Sequence, residues 1–178
     1  SLDKLKADGV MAFVTSKGTM DKANGRVRAY LAERAELLGA VRLPNNALAA
    51  TSGDVKVTTD ILFLKKRERP VVLAANKEPW IYTNKNTDGL PMNEYFVNHP
   101  EMVLGKMTVV KGQYGREDTA CVDDGRNLNE ALDTAIRHLG EDYRNNHALS
   151  ERESETKTDP QIKEKENAKD LLPEPEVV

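Results

Sequence analysis

The residues best suited to bind something lie in two short stretches: Thr15-Ser16-Lys17 with Lys22 close behind, and Asn45-Asn46-Ala47-Leu48 after Pro44. Two hydroxyls and a lysine directly after an apolar run stand where a strand gives way to a turn. At the C-terminal ends of strands in open α/β sheets such groups line ligand sites. Ordinary turn chemistry accounts for the same residue types. Asn45 and Asn46 can hydrogen-bond a base edge or a phosphate, or simply serve the turn after Pro44. Lys17, Lys22, Arg26 and Arg28 offer positive charge to phosphates, or else a solvated helix face.

The rest of the inventory assigns no catalytic, cofactor-binding or metal-ligating residue. His99, His138 and His147 lack the spacing of a ligand pair. Asp123-Asp124 offers oxygen ligands to a cation, but a solvated turn before a helix needs the same pair. No GxSxG, Walker or GxGxxG sequence is present. The single Cys121 cannot form an internal disulfide, and no charged segment with an apolar stretch opens the chain, so a cytoplasmic location is the expectation.

The elements that would position these groups follow from periodicity. The continuous apolar run of 9–15 predicts a buried strand ending in the turn Ser16-Lys17-Gly18-Thr19. Val27, Leu31, Ala35 and Leu38 recur at helical steps, which predicts a helix from about Asn24 with Gly39 near its end. A second strand over 38–43 is stopped by Pro44, and a third is predicted over 57–64 before the cluster Lys65-Lys66-Arg67-Glu68-Arg69. Lys65, Lys66, Arg67 and Arg69 are read as ending that strand. Strand, helix, strand is a crossover unit, and the third strand, reached without a helix, is expected antiparallel beside the second.

Residues 71–126 are rich in turn formers and predict short irregular elements, with Trp80 and Tyr95-Phe96 as packing anchors. Asn127, with Glu130 three residues on, caps a helix expected over 127–139, whose face carries Leu128, Ala131, Leu132, Ala135, Ile136 and Leu139. From about Ser150 the charged tail, with Pro173-Glu174-Pro175-Glu176 near its end, is expected to be disordered.

Composition sets wider bounds. With 39% hydrophobic and 31% charged residues, the 178-residue chain predicts a soluble protein with an aliphatic core. No apolar run approaches the roughly 18 residues of a membrane span. The net charge of −3 is uneven: residues 1–70 hold 13 Lys/Arg against 8 Asp/Glu, and residues 71–150 hold 8 against 12. The basic front is compatible with a phosphate-facing surface, and equally with solvated helix faces.

A resemblance extends this reading. The string Gly9-Val10-Met11-Ala12-Phe13-Val14-Thr15-Ser16-Lys17-Gly18-Thr19-Met20-Asp21-Lys22 is followed by blocks at 27–35, 38–44 and 57–67, and then by Trp80, the block 92–105, Tyr114-Gly115 and the helix 128–139. Together these blocks, spanning roughly residues 9 to 140, are similar to the late strands and following region of the N6-adenine DNA methyltransferase domain in large methylase-helicase, antirestriction-type proteins of phages, plasmids and conjugative elements.

The resemblance implies an α/β fold: the C-terminal half of a doubly wound, Rossmann-like methyltransferase sheet with a reversed strand near one edge, over 1–70. An accessory region over 71–149 and the tail over 150–178 follow. It also implies S-adenosylmethionine as cofactor of the complete enzyme, held by a Gly-containing loop, and an Asn-Pro-Pro-aromatic motif that orients the adenine amino group. Neither motif stands in these 178 residues, so no cofactor is expected on this chain alone. The chain would begin just before the fifth strand of such a sheet.

The expected contribution is therefore the wall of the pocket that takes a flipped adenine, together with DNA contacts, through Thr15, Ser16, Lys17, Lys22, Asn45, Asn46 and Leu48. Leu48 falls where the family usually places a stacking Phe, and leucine offers no π-face. The expected partners are DNA and an N-terminal methyltransferase half or helicase part in the same or a neighbouring polypeptide, with no membrane. Self-association through exposed sheet is expected of the chain alone. The alternative is a non-catalytic DNA-binding or inhibitory module derived from such an enzyme.

Overall fold

The computed structural model describes residues 2–48, 56–74, 77–112 and 115–156. They form a mixed α/β fold with small antiparallel sheets and a C-terminal helix. The principal sheet is built from β1 (Val10–Ser16), β2 (Ala35–Leu43) and β3 (Thr59–Lys66), with α1 (Gly18–Asp21) and α2 (Arg26–Arg34) between β1 and β2. Its order is β1-β3-β2, and β3 runs antiparallel to both neighbours. β1 and β2 therefore point the same way, and the reversed strand expected beside the second also lies beside the first.

Two local readings are corrected. The helical stripe Val27, Leu31, Ala35, Leu38 breaks after its second member, because α2 ends at Arg34 and Ala35 opens β2 at once. Pairing decides this: Ala35 lies opposite Lys66 and Leu37 opposite Leu64, so extending α2 through Leu38 would strip β3 of three of its eight pairings with β2. Gly39 thus sits in a strand, at the register shift between Leu37 and Gly39, rather than near a helix end.

The second correction concerns β1, expected to be buried. It is the edge strand, and Val10, Phe13 and Val14 are largely exposed. The phase of its pairing shows what it offers. The Lys17 N–H donates to the Thr58 carbonyl at 3.0 Å and the Lys66 N–H to the Gly9 carbonyl at 2.8 Å, so the odd-numbered residues of β1 face β3. In an antiparallel ladder the alternate residues, Val10, Ala12, Val14 and Ser16, then turn their backbone groups to the open edge. The opposite edge is closed, since the Leu104 N–H donates to the Arg42 carbonyl and Val103 bridges Arg42.

Residues 71–126 are more regular than their turn formers suggest. They contain the short pair β4 (Thr83–Lys85) and β5 (Pro91–Asn93), helix α3 (Glu94–Asn98), and a hairpin of β6 (Lys106–Lys111) and β7 (Glu117–Val122). Trp80 and Phe96 are buried, as anchors should be, in one cluster with Met20, Ala40, Val41, Leu62 and Leu64. Helix α4 (Leu128–Thr156) is capped by Asn127, whose Oδ1 accepts from the Asn129 N–H at 3.1 Å and whose Nδ2 donates to Glu130. Ala135 and Leu139 are buried, whereas Ile136, assigned to the same face, is exposed. A Cβ at Gly39 would run into the Leu139 side chain, so glycine there admits the helix against β2.

One compact unit ends at Leu139, and from Gly140 the helix belongs to a second. It continues to Thr156, past the point near Ser150 where the tail was expected to begin, and the rest of that tail lies outside the described residues. Among the described residues no helix is long and apolar enough to cross a membrane.

At the centre of the first unit Arg42 is fully buried on β2. It donates from Nε and Nη2 to the two oxygens of Asp60 at 2.8 and 2.9 Å, and from Nη1 and Nη2 to those of Asp21 at 2.8 Å each. The Phe96 ring lies 4.4 Å from its Cζ. Burial alone would lower the Arg42 pKa, but the hydrogen bonds and charges of Asp60 and Asp21 outweigh it and raise it, so the guanidinium stays charged. Replacing Arg42 with Met leaves two carboxylates without their counter-charge, one of them wholly buried. The expected loss is about 3–5 kcal/mol in urea unfolding. A loss under ~1 kcal/mol, the range of an exposed pair, would show that the network does not hold the fold.

Candidate functional site

The turn after β1 is held from three sides. The Thr15 and Thr19 hydroxyls lie 2.6 Å apart, the Lys17 carbonyl accepts from the N–H groups of Met20 and Asp21, and Asp21 is clamped by Arg42. Asn93 on β5 adds a fourth support, donating from its backbone to Asp21 Oδ1 at 2.9 Å and from its side chain to the carbonyls of Met20 and Trp80. The result is a rigid corner at the C-terminal end of β1.

Two depressions open from this corner. One of about 580 Å³ is lined by Ser16–Thr19, Asp21, Lys22, Asn24 and Val27. The other, about 720 Å³, lies between Ser16–Gly18, the Asn45 and Lys56–Thr58 ends of the β2–β3 connection, and the β6–β7 hairpin. Ser16, Lys17, Lys22 and Asn45 are thus brought together around neighbouring hollows. Asn46 turns aside, donating from Nδ2 to Asp123 Oδ2 at 3.1 Å, and Thr15 and Leu48 line neither hollow. Leu48 is exposed, and residues 49–55 beyond it lie outside the described residues.

Of the basic candidates, Arg26 is exposed but Arg28 is neither a phosphate contact nor a solvated side chain. It is buried and donates to the carbonyls of Thr19, Lys22 and Ile81 at 2.7–3.0 Å. Burial lowers its pKa, and the charge of Asp21 opposes that. The arginine therefore ties α2 to the same corner. The cluster after β3 is likewise engaged in structure: β3 runs through Lys66, whose Nζ donates to the Leu5 carbonyl at 2.7 Å, and Arg67 pairs with Glu78 at 3.0 Å.

Sequence reasoning missed the hairpin wall. Lys17 Nζ donates to Asp118 Oδ1 at 2.7 Å, and this hydrogen bond draws the Asp118 carboxyl below its usual range. Deeper in, the Asn45 N–H donates to the Cys121 carbonyl and the Cys121 N–H to Thr58 Oγ1. β7 is thereby laced to both the β2–β3 connection and the end of β1. The signal was present in the alternation of Lys106-Met107-Thr108-Val109 and in the turn-forming residue types Gly112 and Gly115 that follow it.

The implied cofactor finds no cradle here. A glycine loop must leave its backbone open to the ligand, yet among the described residues a Cβ at Gly9, Gly25 or Gly105 would press on protein backbone, and the open Gly18, Gly89, Gly115 and Gly125 lie in separate turns rather than in one loop. No step of methyl transfer is assigned to these residues. Asp123 accepts from the Gly125 N–H and then from Asn46, which together lower its pKa, and Asp124 binds Arg126, so the pair behaves as a turn. Among the described residues no group of three or more His, Cys, Asp or Glu could hold a metal ion.

Comparison with known protein families, with curated proteins and with solved structures finds no match for this chain.

Cys121 reports on whether the hairpin wall is docked. Burial pushes its thiol up to about 12, with the Arg42 charge opposing only in part. At pH 8 iodoacetamide should modify the folded protein on the order of a thousandfold more slowly than the urea-unfolded chain. Equal rates would mean that β7 does not stay on the sheet.

Proposed function

We propose that this chain is the back part of an S-adenosylmethionine-dependent, adenine-specific DNA methyltransferase of the methylase-helicase type. It supplies the wall of the target-base pocket and DNA contacts, while a front part in the same or a neighbouring polypeptide supplies the cofactor loop and the motif that holds the adenine amino group. The observation that carries this reading is the open edge of β1. Its seven residues, Val-Met-Ala-Phe-Val-Thr-Ser, are uncharged, contain no proline and leave alternate backbone groups unpaired among the described residues. Edge strands of finished sheets are blunted by lysine, proline or a bulge. A strand so unprotected suits a sheet that continues.

Two further features support the reading. The reversed β3 lies one strand in from the β2 edge, as the resemblance implies for a doubly wound sheet whose remaining strands would extend from β1. Both hollows open at the C-terminal end of β1, where ligands sit in such sheets. Adenine inside a duplex is out of reach of any such hollow, so the base would have to be flipped out of the stack.

Co-expression with the polypeptide encoded immediately upstream, followed by a methylation-sensitive digest of the host DNA, tests the reading. Protection should appear with both parts and with neither alone. If no neighbour confers protection while the chain alone shifts duplex DNA, a non-catalytic DNA-binding module takes its place.

The edge itself gives a second test. In light scattering the isolated chain should associate, and Val14→Lys, which puts a charge on the exposed edge, should return it to a monomer. A monodisperse wild-type monomer would remove the argument from the edge.

A further inference from the structure

We propose that the β6–β7 hairpin is the second wall of the nucleic-acid site, and that Lys56 and Lys111, which line the 720 Å³ hollow from two different segments, grip the phosphates of the strand that enters it; this rests on the DNA-binding reading above. Lys56 comes from the start of the described segment that leads into β3, and Lys111 is the last residue of β6. Both are exposed, and among the described residues neither has an ion-pair partner. Lys17, the third lysine at the rim, is already held by Asp118, the only carboxylate among the lining residues. The lining therefore adds the charges of Lys56 and Lys111 to the uncharged Thr58, Ala120 and Val122, and Glu117, opposite Lys111 in the hairpin register, makes no ion pair with it.

That arrangement suits a phosphodiester better than a small anion. A compact anion is bound by converging donors in a tight cradle, whereas two ammonium groups on separate walls of an open hollow match charges strung along a backbone. The volume lies within the range of sites that take nucleotide-sized ligands. The hairpin is anchored well enough to serve as a wall. The Asn45–Cys121 and Cys121–Thr58 hydrogen bonds tie β7 to the sheet, and the Lys17–Asp118 pair ties its outer end to the corner after β1. Lysine suits the task, because its flexible stem lets a point charge follow a phosphate whose position changes as a base leaves the stack.

Fluorescence anisotropy with the full chain and a fluorescein-labelled duplex bearing one adenine opposite an abasic site tests the assignment over a salt series. The Lys56→Ala/Lys111→Ala variant should lower the slope of log affinity against log salt by about 1.8, the release expected from two lost phosphate contacts. The control Arg69→Ala/Lys106→Ala, also exposed but away from the hollow, should leave the slope in place. Thermal melts compared with wild type establish that both variants fold. If the wild type binds with a salt-dependent affinity and the Lys56/Lys111 variant keeps its slope, this assignment falls and the DNA-binding reading stands. If the wild type shows no salt-dependent binding, both fall.

Discussion

The fold turns on one buried guanidinium. Arg42 lies between two carboxylates that come from different parts of the chain, Asp60 on the neighbouring strand and Asp21 at the end of α1, and it has no contact with water. Removing three charges from solvent is expensive, and a buried ion network of this kind is weak evidence of net stability. What it supplies is position. An apolar side chain at 42 would tolerate α1 in many rotations against the sheet, whereas two bidentate pairs tolerate one. Because Asp21 also accepts from the Asn93 backbone, the same network fixes where β5 and α3 approach, and the Phe96 ring closes over it. The turn that carries Ser16, Lys17 and Gly18 is the direct beneficiary, since it has nowhere to go once Asp21 is held.

The two edges of the sheet contrast in a way that the network explains. On the β2 side Arg42 sends its side chain into the core while its carbonyl takes the Leu104 N–H, so the segment that follows α3 seals the strand. On the β1 side nothing equivalent occurs among the described residues, and apolar side chains remain in water. Burying what is still exposed of Val10, Phe13 and Val14 would contribute, for each, roughly half of the 1.5–3 kcal/mol of a complete burial, about 1 kcal/mol. That contrast between the two edges is the physical content of the proposal that more sheet belongs beside β1.

How much of this could be read from the residues depended on whether local pattern and tertiary pairing agreed. They agreed at Asn127, where the cap and the apolar spacing of Leu128 to Leu139 both specify the helix, and at Trp80 and Phe96, large apolar groups in polar surroundings. They disagreed at Ala35 to Leu38, where helical spacing runs on but β3 claims the residues as a strand partner; periodicity carries no information about a partner 30 residues away. They disagreed again at β1, because a continuous apolar run signals what a strand can bury and not whether the burying partner is present. Of the site, Ser16, Lys17, Lys22 and Asn45 were legible from their place after a strand or a proline. Lys56, Lys111 and Asp118 were not, since only the hairpin brings them within reach of the corner. Arg28 was read as a phosphate contact or a solvated helix face and Arg42 drew no reading of its own, and only the carbonyls and carboxylates around them reveal what they do.

Leu48 gives the proposed site a particular balance of forces. In the family that the proposal invokes, an aromatic ring at this place would stack on the extruded base, and stacking of a base on an aromatic side chain contributes roughly 1–3 kcal/mol. A leucine retains apolar contact but not the π-face, and here it is exposed and lines neither hollow. If this chain receives a flipped adenine, less of the holding force can come from the base and more must come from the strand on either side of it. That shifts the burden to charge at the rim, where Lys56 and Lys111 stand uncommitted and Lys17 is balanced by Asp118. A site weighted in this way would discriminate poorly between bases and would bind more weakly as salt rises, leaving the choice of adenine to the part of the enzyme that carries the amide holder.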